Sequence, residues 1–152
     1  MMGKRRVLFL CTGNSCRSQM AEGIVNHLLA DRWEAFSAGV APAGYVHPLA
    51  IRAMAEIGID ISSAHSKPVD EFRGAEFDLV ITVCDEAAEN CPLWLGSGDI
   101  RHLGFPDPAE AQGGEEERFE VFRQVRSDLL EHVVSTLVQI GGMARQGGCN
   151  AA

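Results

Sequence analysis

The chain has 152 residues, 46% apolar and 22% charged, with a formal net charge of −8. That is the size of one domain with one core, and the acidic balance argues against nucleic acid or an anionic membrane surface as the main partner. No apolar stretch approaches the ~20 residues of a membrane span, and Met1 to Arg6 is basic without a separate apolar region and cleavage site, so a cytoplasmic protein is expected.

Val7-Leu8-Phe9-Leu10 is a continuous apolar run, the pattern of a parallel strand covered on both faces. It delivers Cys11 to Ser18, C-T-G-N-S-C-R-S, which leads straight into a helix. Met20, Ile24, Leu28 and Leu29 recur at helical spacing to about Asp31, with Ser18 suited to the N-terminal cap. A short loop of small residues between strand and helix lets several backbone N–H groups converge on one tetrahedral anion. The helix start adds its dipole, and Arg17 adds a planar two-point fork. Thr12, Gly13, Asn14, Ser15, Cys16 and Arg17 are therefore the candidate anion-binding residues, with Gly13 and Asn14 able to take left-handed turns. The same field favours a thiolate at Cys11, which makes it a candidate nucleophile.

Trp33 to Ser37 reads as a second strand, followed by turn residues Gly39, Pro42 and Gly44. Pro48 suits the first turn of another helix, ended by Gly58. Phe77 to Val83 is a third strand delivering Cys84, and Ile100 to Leu103 a fourth running into Gly104-Phe105-Pro106-Asp107-Pro108. A long helix follows from about Glu115 to Ile140, striped by Phe119, Phe122, Val125, Leu129, Val133 and Leu137. Gly141-Gly142 is expected to end it. Residues 1–142 then form a single domain and 143–152 a disordered tail.

Alternating strands and helices imply a three-layer α/β sandwich with a four-stranded parallel sheet and right-handed crossovers. Ligands bind such sheets beyond the carboxyl ends of the strands, where Cys11, Cys84 and Asp107 should all emerge. Asp107, stiffened between two prolines, is placed to protonate a departing oxygen. The five cysteines suit reactive thiols better than structural disulfides. Their spacings do not match the usual zinc pairs, so no metal site is expected. Cys16 should serve shape and packing, and Cys149 is a bystander.

The C-T-G-N-S-C-R-S-Q-M-A-E-G run, the V-C-D-E-A-A-E-N-C-P segment and the G-F-P-D-P loop together resemble the cysteine-dependent arsenate reductases built on the low-molecular-weight tyrosine phosphatase fold. The resemblance extends from Arg6 to about Ile140. It implies Cys11 as nucleophile, Arg17 and the loop amides as oxyanion binders, and Ser18 as a hydroxyl supporting the Cys11 sulfur. It implies Asp107 as general acid and Cys84 and Cys91 as a redox relay, with thioredoxin as the reductant. No cofactor is required. Some members hold potassium on an asparagine and a glutamate matching Asn14 and Glu22; their further acidic ligand has no counterpart around Ser66-Lys67-Pro68.

Arsenate reduction takes two electrons, which one disulfide supplies, so a second thiol must join Cys11. The expected sequence is attack by Cys11 on arsenic, a Cys11–Cys84 disulfide, then Cys84–Cys91 for an external dithiol to reduce. A continuous helix would hold the Cα atoms of Cys84 and Cys91 roughly 10.5 Å apart, beyond disulfide reach, so Asp85–Asn90 should be at most a short helix that rearranges on oxidation. The alternatives are a tyrosine phosphatase hydrolysing aryl phosphates through a Cys11 phosphocysteine, or a reductase served by glutaredoxin and glutathione or by mycothiol. A monomer is the default.

Overall fold

The computed structural model describes residues 3–85, 94 and 96–150, with side chains to Ile140. The chain runs β1 (Arg5–Cys11), α1 (Arg17–Leu28), β2 (Trp33–Gly39), α2 (Pro48–Ala55), β3 (Leu79–Thr82), β4 (Asp99–His102) and α3 (Glu115–Asn150). Single 3-10 turns lie at Val69–Phe72 and Pro108–Glu110. The four strands form one parallel sheet in the order β2-β1-β3-β4. This is the α/β class expected. Because β1 is central and the chain departs from it first to β2 and later to β3, the end of β1 is a topological switch point.

Packing explains why β1 is apolar from Val7 onward. Val7, Phe9 and Cys11 face one core with Met20, Ile24, Met54, Phe119, Phe122 and Leu129 from the three helices. Leu8 and Leu10 face a second core with Ala38, Phe77, Val80 and Trp94. Edge-to-face rings of Phe36, Phe72, Phe77 and Trp94 build that second layer. By contrast β4 is exposed along all four residues, as an edge strand with no β-strand beyond it among the described residues.

The stripe on α3 is buried as its spacing predicts, from Phe119 to Leu137. Two expectations are corrected. The helix does not stop at Gly141-Gly142 but keeps a helical backbone to Asn150, through the stretch expected to lack structure. Glycine weakens a helix by only about 1 kcal/mol, and no proline follows to break it. Nor does Ser18 cap α1: Cys16 occupies the cap position without a side-chain bond, and Ser18 lies inside the first turn, turned toward Cys11. Helix α2 begins with Pro48 in its first turn, and His47 caps it by accepting the Leu49 N–H at Nδ1 (3.0 Å). It ends at Ala55, and Gly58 turns the chain away in the left-handed region (φ 79°). Among the described residues no helix is long and apolar enough to cross a membrane.

Candidate active site

The loop from Cys11 to Arg17 is shaped from outside. The N–H groups of Val40, Ala41, Ala43 and His47 donate to the carbonyls of Cys11 (3.3 Å), Thr12 (2.9 Å), Gly13 (2.9 Å) and Ser15 (3.0 Å). In a trans peptide the N–H points opposite to the C=O, so turning these carbonyls outward turns the N–H groups of Thr12, Gly13, Asn14 and Cys16 inward. Asn14 shows the result directly: its N–H donates to Cys11 Sγ at 3.2 Å. This fold-back needs the left-handed conformation at Asn14 (φ 48°), whereas Gly13 does not adopt a positive φ.

A buried polar network holds that conformation. Ser18 Oγ lies 2.8 Å from Cys11 Sγ and accepts from Asn14 Nδ2 at 2.7 Å, which leaves the serine hydroxyl hydrogen free to face the sulfur. Asn14 Oδ1 accepts from Gln19 Nε2 (2.9 Å) and from the Lys67 N–H (2.8 Å). Ser66 Oγ donates to the Gly13 carbonyl at 3.0 Å, and Gln19 Nε2 also reaches the His65 carbonyl at 2.8 Å. Asn14, Arg17, Ser18 and Gln19 are all at most 2% exposed. Residues 65–67 thus clasp the anion loop from the far side. Gly39 makes room for it: a Cβ there would stand 2.5 Å from the Thr12 carbonyl oxygen.

Arg17 joins the loop to the acid. Its Nη1 donates to the Phe105 carbonyl (3.0 Å), and its Nη2 lies 3.6 Å from Asp107 Oδ2. The other oxygen of Asp107 accepts the Ala109 N–H at 3.0 Å, capping the short turn that Pro108 begins. Asp107 remains 29% exposed, so a water route to its carboxyl stays open. Burial pushes the Cys16 thiol up to about 12, with Asp107 adding to the effect and Ser15 and Arg17 opposing it. Cys16 therefore stays a thiol and lines the loop.

Cys84 is fully buried just past β3, and β3 pairs with β1 so that the Val83 N–H donates to the Leu10 carbonyl (2.9 Å). The register puts Cys84 beside the start of the anion loop. It is disulfide-bonded, whereas Cys11 and Cys16 are free. Cys91 and most of the Asp85–Asn90 segment lie outside the described residues.

Sequence reasoning missed Gln19, Ser37 and Lys67. A polar pair, Ser18-Gln19, directly before the apolar Met20 on a helix start was the available signal for Gln19. The contacts of Lys67 span 53 and 30 positions, and no local pattern announces them. Lys67 Nζ lies 3.1 Å from the His65 carbonyl oxygen, 3.5 Å from Ser37 Oγ and 3.7 Å from Glu22 Oε1; Ser37 Oγ also donates to Glu22 Oε1 at 2.6 Å.

The low molecular weight phosphotyrosine protein phosphatase family model matches residues 6–144. The arsenate reductase of Halalkalibacterium halodurans is 48% identical over 132 residues, covering 87% of this chain and 94% of that one. A solved arsenate reductase in a phosphate-binding state is similar with a TM-score of 0.72 at 34% identity, covering 90% of this chain and 98% of that one. A thioredoxin-dependent arsenate reductase from Corynebacterium glutamicum gives a TM-score of 0.56 at 30% identity, covering 88% of this chain and 63% of that one. With a nucleophile-bearing anion loop at the switch point, an acid facing it and a second cysteine alongside, the chain belongs to the arsenate reductase branch of the low molecular weight phosphotyrosine protein phosphatase family.

Proposed function

We propose that this chain reduces arsenate to arsenite through a relay of Cys11, Cys84 and Cys91, reset by thioredoxin. The observation that carries the reading is the setting of Cys11 Sγ. It sits within a loop whose N–H groups turn inward, touched by Ser18 Oγ and the Asn14 N–H, with Arg17 and Asp107 as a cation–acid pair at its rim.

Arsenate is held by the inward N–H groups of residues 12–16 and by the Arg17 guanidinium, which meets the anion's paired oxygens. Cys11 attacks arsenic, and Asp107 supplies a proton so that one oxygen leaves as water. The Cys84 thiolate attacks Cys11 sulfur; the As–S bond breaks, its electron pair stays on arsenic, and arsenite departs. Two thiols have become one disulfide, and arsenic has gained two electrons. Cys91 then attacks Cys84 sulfur, freeing Cys11, and an external dithiol reduces Cys84–Cys91. The electrons come from thiols throughout, so the reaction calls for no cofactor. A reducing cytoplasm suits this chemistry, and we place a monomeric, single-domain enzyme there.

The test is arsenate-dependent NADPH oxidation with thioredoxin and thioredoxin reductase. Wild type should turn over continuously, and Cys91→Ser should stop after one event with Cys11–Cys84 trapped. Turnover only with glutaredoxin and glutathione, or with mycothiol, would replace the partner. Hydrolysis of an aryl phosphate with no reduction by any thiol system would overturn the reading in favour of a phosphatase.

A further inference from the structure

We propose that the Lys67 ammonium is the resident cation of the anion loop, standing where the family resemblance places a potassium ion. The two positions that resemblance names are Asn14 and Glu22, and both are already engaged. Asn14 Oδ1 takes two N–H donors, from Gln19 and from the Lys67 backbone. Glu22 Oε1 takes the Ser37 hydroxyl and faces Lys67 Nζ at 3.7 Å. The ammonium also reaches the His65 carbonyl and Ser37 Oγ. These are oxygen donors, a set that suits a hard monovalent cation and suits a tethered ammonium equally well. Tethering decides between them. The ammonium is always present at its site at high effective concentration, whereas a free ion must compete for the same oxygens. The donor set therefore does not fit an added potassium ion in this chain.

The contact matters to the loop because the Lys67 backbone bonds the loop on one side and the neighbouring strand on the other. Its backbone N–H holds Asn14 Oδ1, and its carbonyl accepts the Gly39 N–H at 2.9 Å, at the residue whose missing Cβ leaves room for the Thr12 carbonyl. Asn14 in turn contacts Cys11 Sγ and Ser18 Oγ. The Glu22 and Lys67 side chains are only 22% and 12% exposed, so the pair is shielded and not a solvated surface bridge. Lys67 is thus a positioning residue: its side chain anchors the segment whose backbone sets Asn14.

This inference rests on reading the Cys11 loop as the oxyanion site, and its test works with or without turnover. Wild type should show the same melting temperature and the same arsenate KM in potassium, sodium and choline chloride at one ionic strength. Lys67→Ala removes the ammonium and leaves both backbone bonds available. In choline chloride its KM should rise about tenfold and its melting temperature fall by about 3 °C. Potassium or methylammonium should restore both with saturation, and adding Glu22→Gln should abolish that rescue. Lys67→Met, which keeps the aliphatic stem, should behave as Lys67→Ala does and separates loss of charge from loss of packing. A wild type that needs potassium would overturn the proposal. So would a Lys67→Ala deficit that no cation repairs, or no deficit at all. If no variant reduces arsenate, the melting temperatures in the three salts still decide the point.

Discussion

Two loops meet at the carboxyl end of the sheet, and they are built in opposite ways. Residues 11–17 are buried or half-buried and held by hydrogen bonds from three separate stretches of chain, 40–47, 65–67 and the start of α1. The Asp107 loop is held by two prolines, one cap to Ala109 and the Arg17 contacts, and its carboxyl is partly open to water. The difference follows the chemistry. Recognising a tetrahedral anion requires donors fixed before it arrives, since reorganisation would cost binding energy. Handing over a proton requires a group that can be recharged from solvent.

If that contrast is right, the two halves should fail differently. Asp107→Asn keeps the shape of the open half but removes its proton, so kcat should fall by about 10²–10³ while arsenate KM changes little. An equal rise in KM would mean that the acid loop also binds the anion, and the division would not hold. Gly39→Ala acts on the buried half from outside, by pressing a methyl group on the Thr12 carbonyl. The expected result is the reverse pattern, with KM raised about tenfold and kcat less affected, alongside slower alkylation of Cys11.

The last effect leaves turnover at neutral pH untouched and concerns Cys16, which should report burial of the loop without taking part in chemistry. Its folded-state value of about 12 lies above the ordinary 9.0, so above pH 9 the unfolded chain loses a proton that the folded chain keeps. Stability is therefore complete below pH 9 and falls progressively as pH rises toward 12. Urea melts across that range should show the slope, and Cys16→Ala should flatten it. A slope unchanged in Cys16→Ala would place the alkaline loss elsewhere.

Local pattern was enough for most of the architecture. The apolar run at 7–10, the stripe from Phe119 to Leu137, and Pro48 at a helix start each report a periodicity or a backbone preference that neighbouring residues alone express. The same holds for the loop chemistry, because Cys11, Arg17 and Asp107 lie at strand ends that a parallel sheet must place together. Boundaries were less legible. Gly141-Gly142 permits a stop without imposing one, and α3 continues. Ser18 satisfies the rule for a helix cap, yet its hydroxyl goes to a cysteine seven positions back.

What only the tertiary structure decided is how the loop is held. Gln19, Ser37, Gly39 and Lys67 act through contacts reaching across 5 to 53 positions, and apart from the polar Ser18-Gln19 pair nothing in their own stretches of chain announces them. The sequence by itself therefore determined the kind of site: a thiol in an anion loop with an acid opposite. The folded chain decided which oxygens and which ammonium hold that loop in shape, because hydrogen bonds between distant segments depend on where the backbone brings them and leave no periodic trace in the chain.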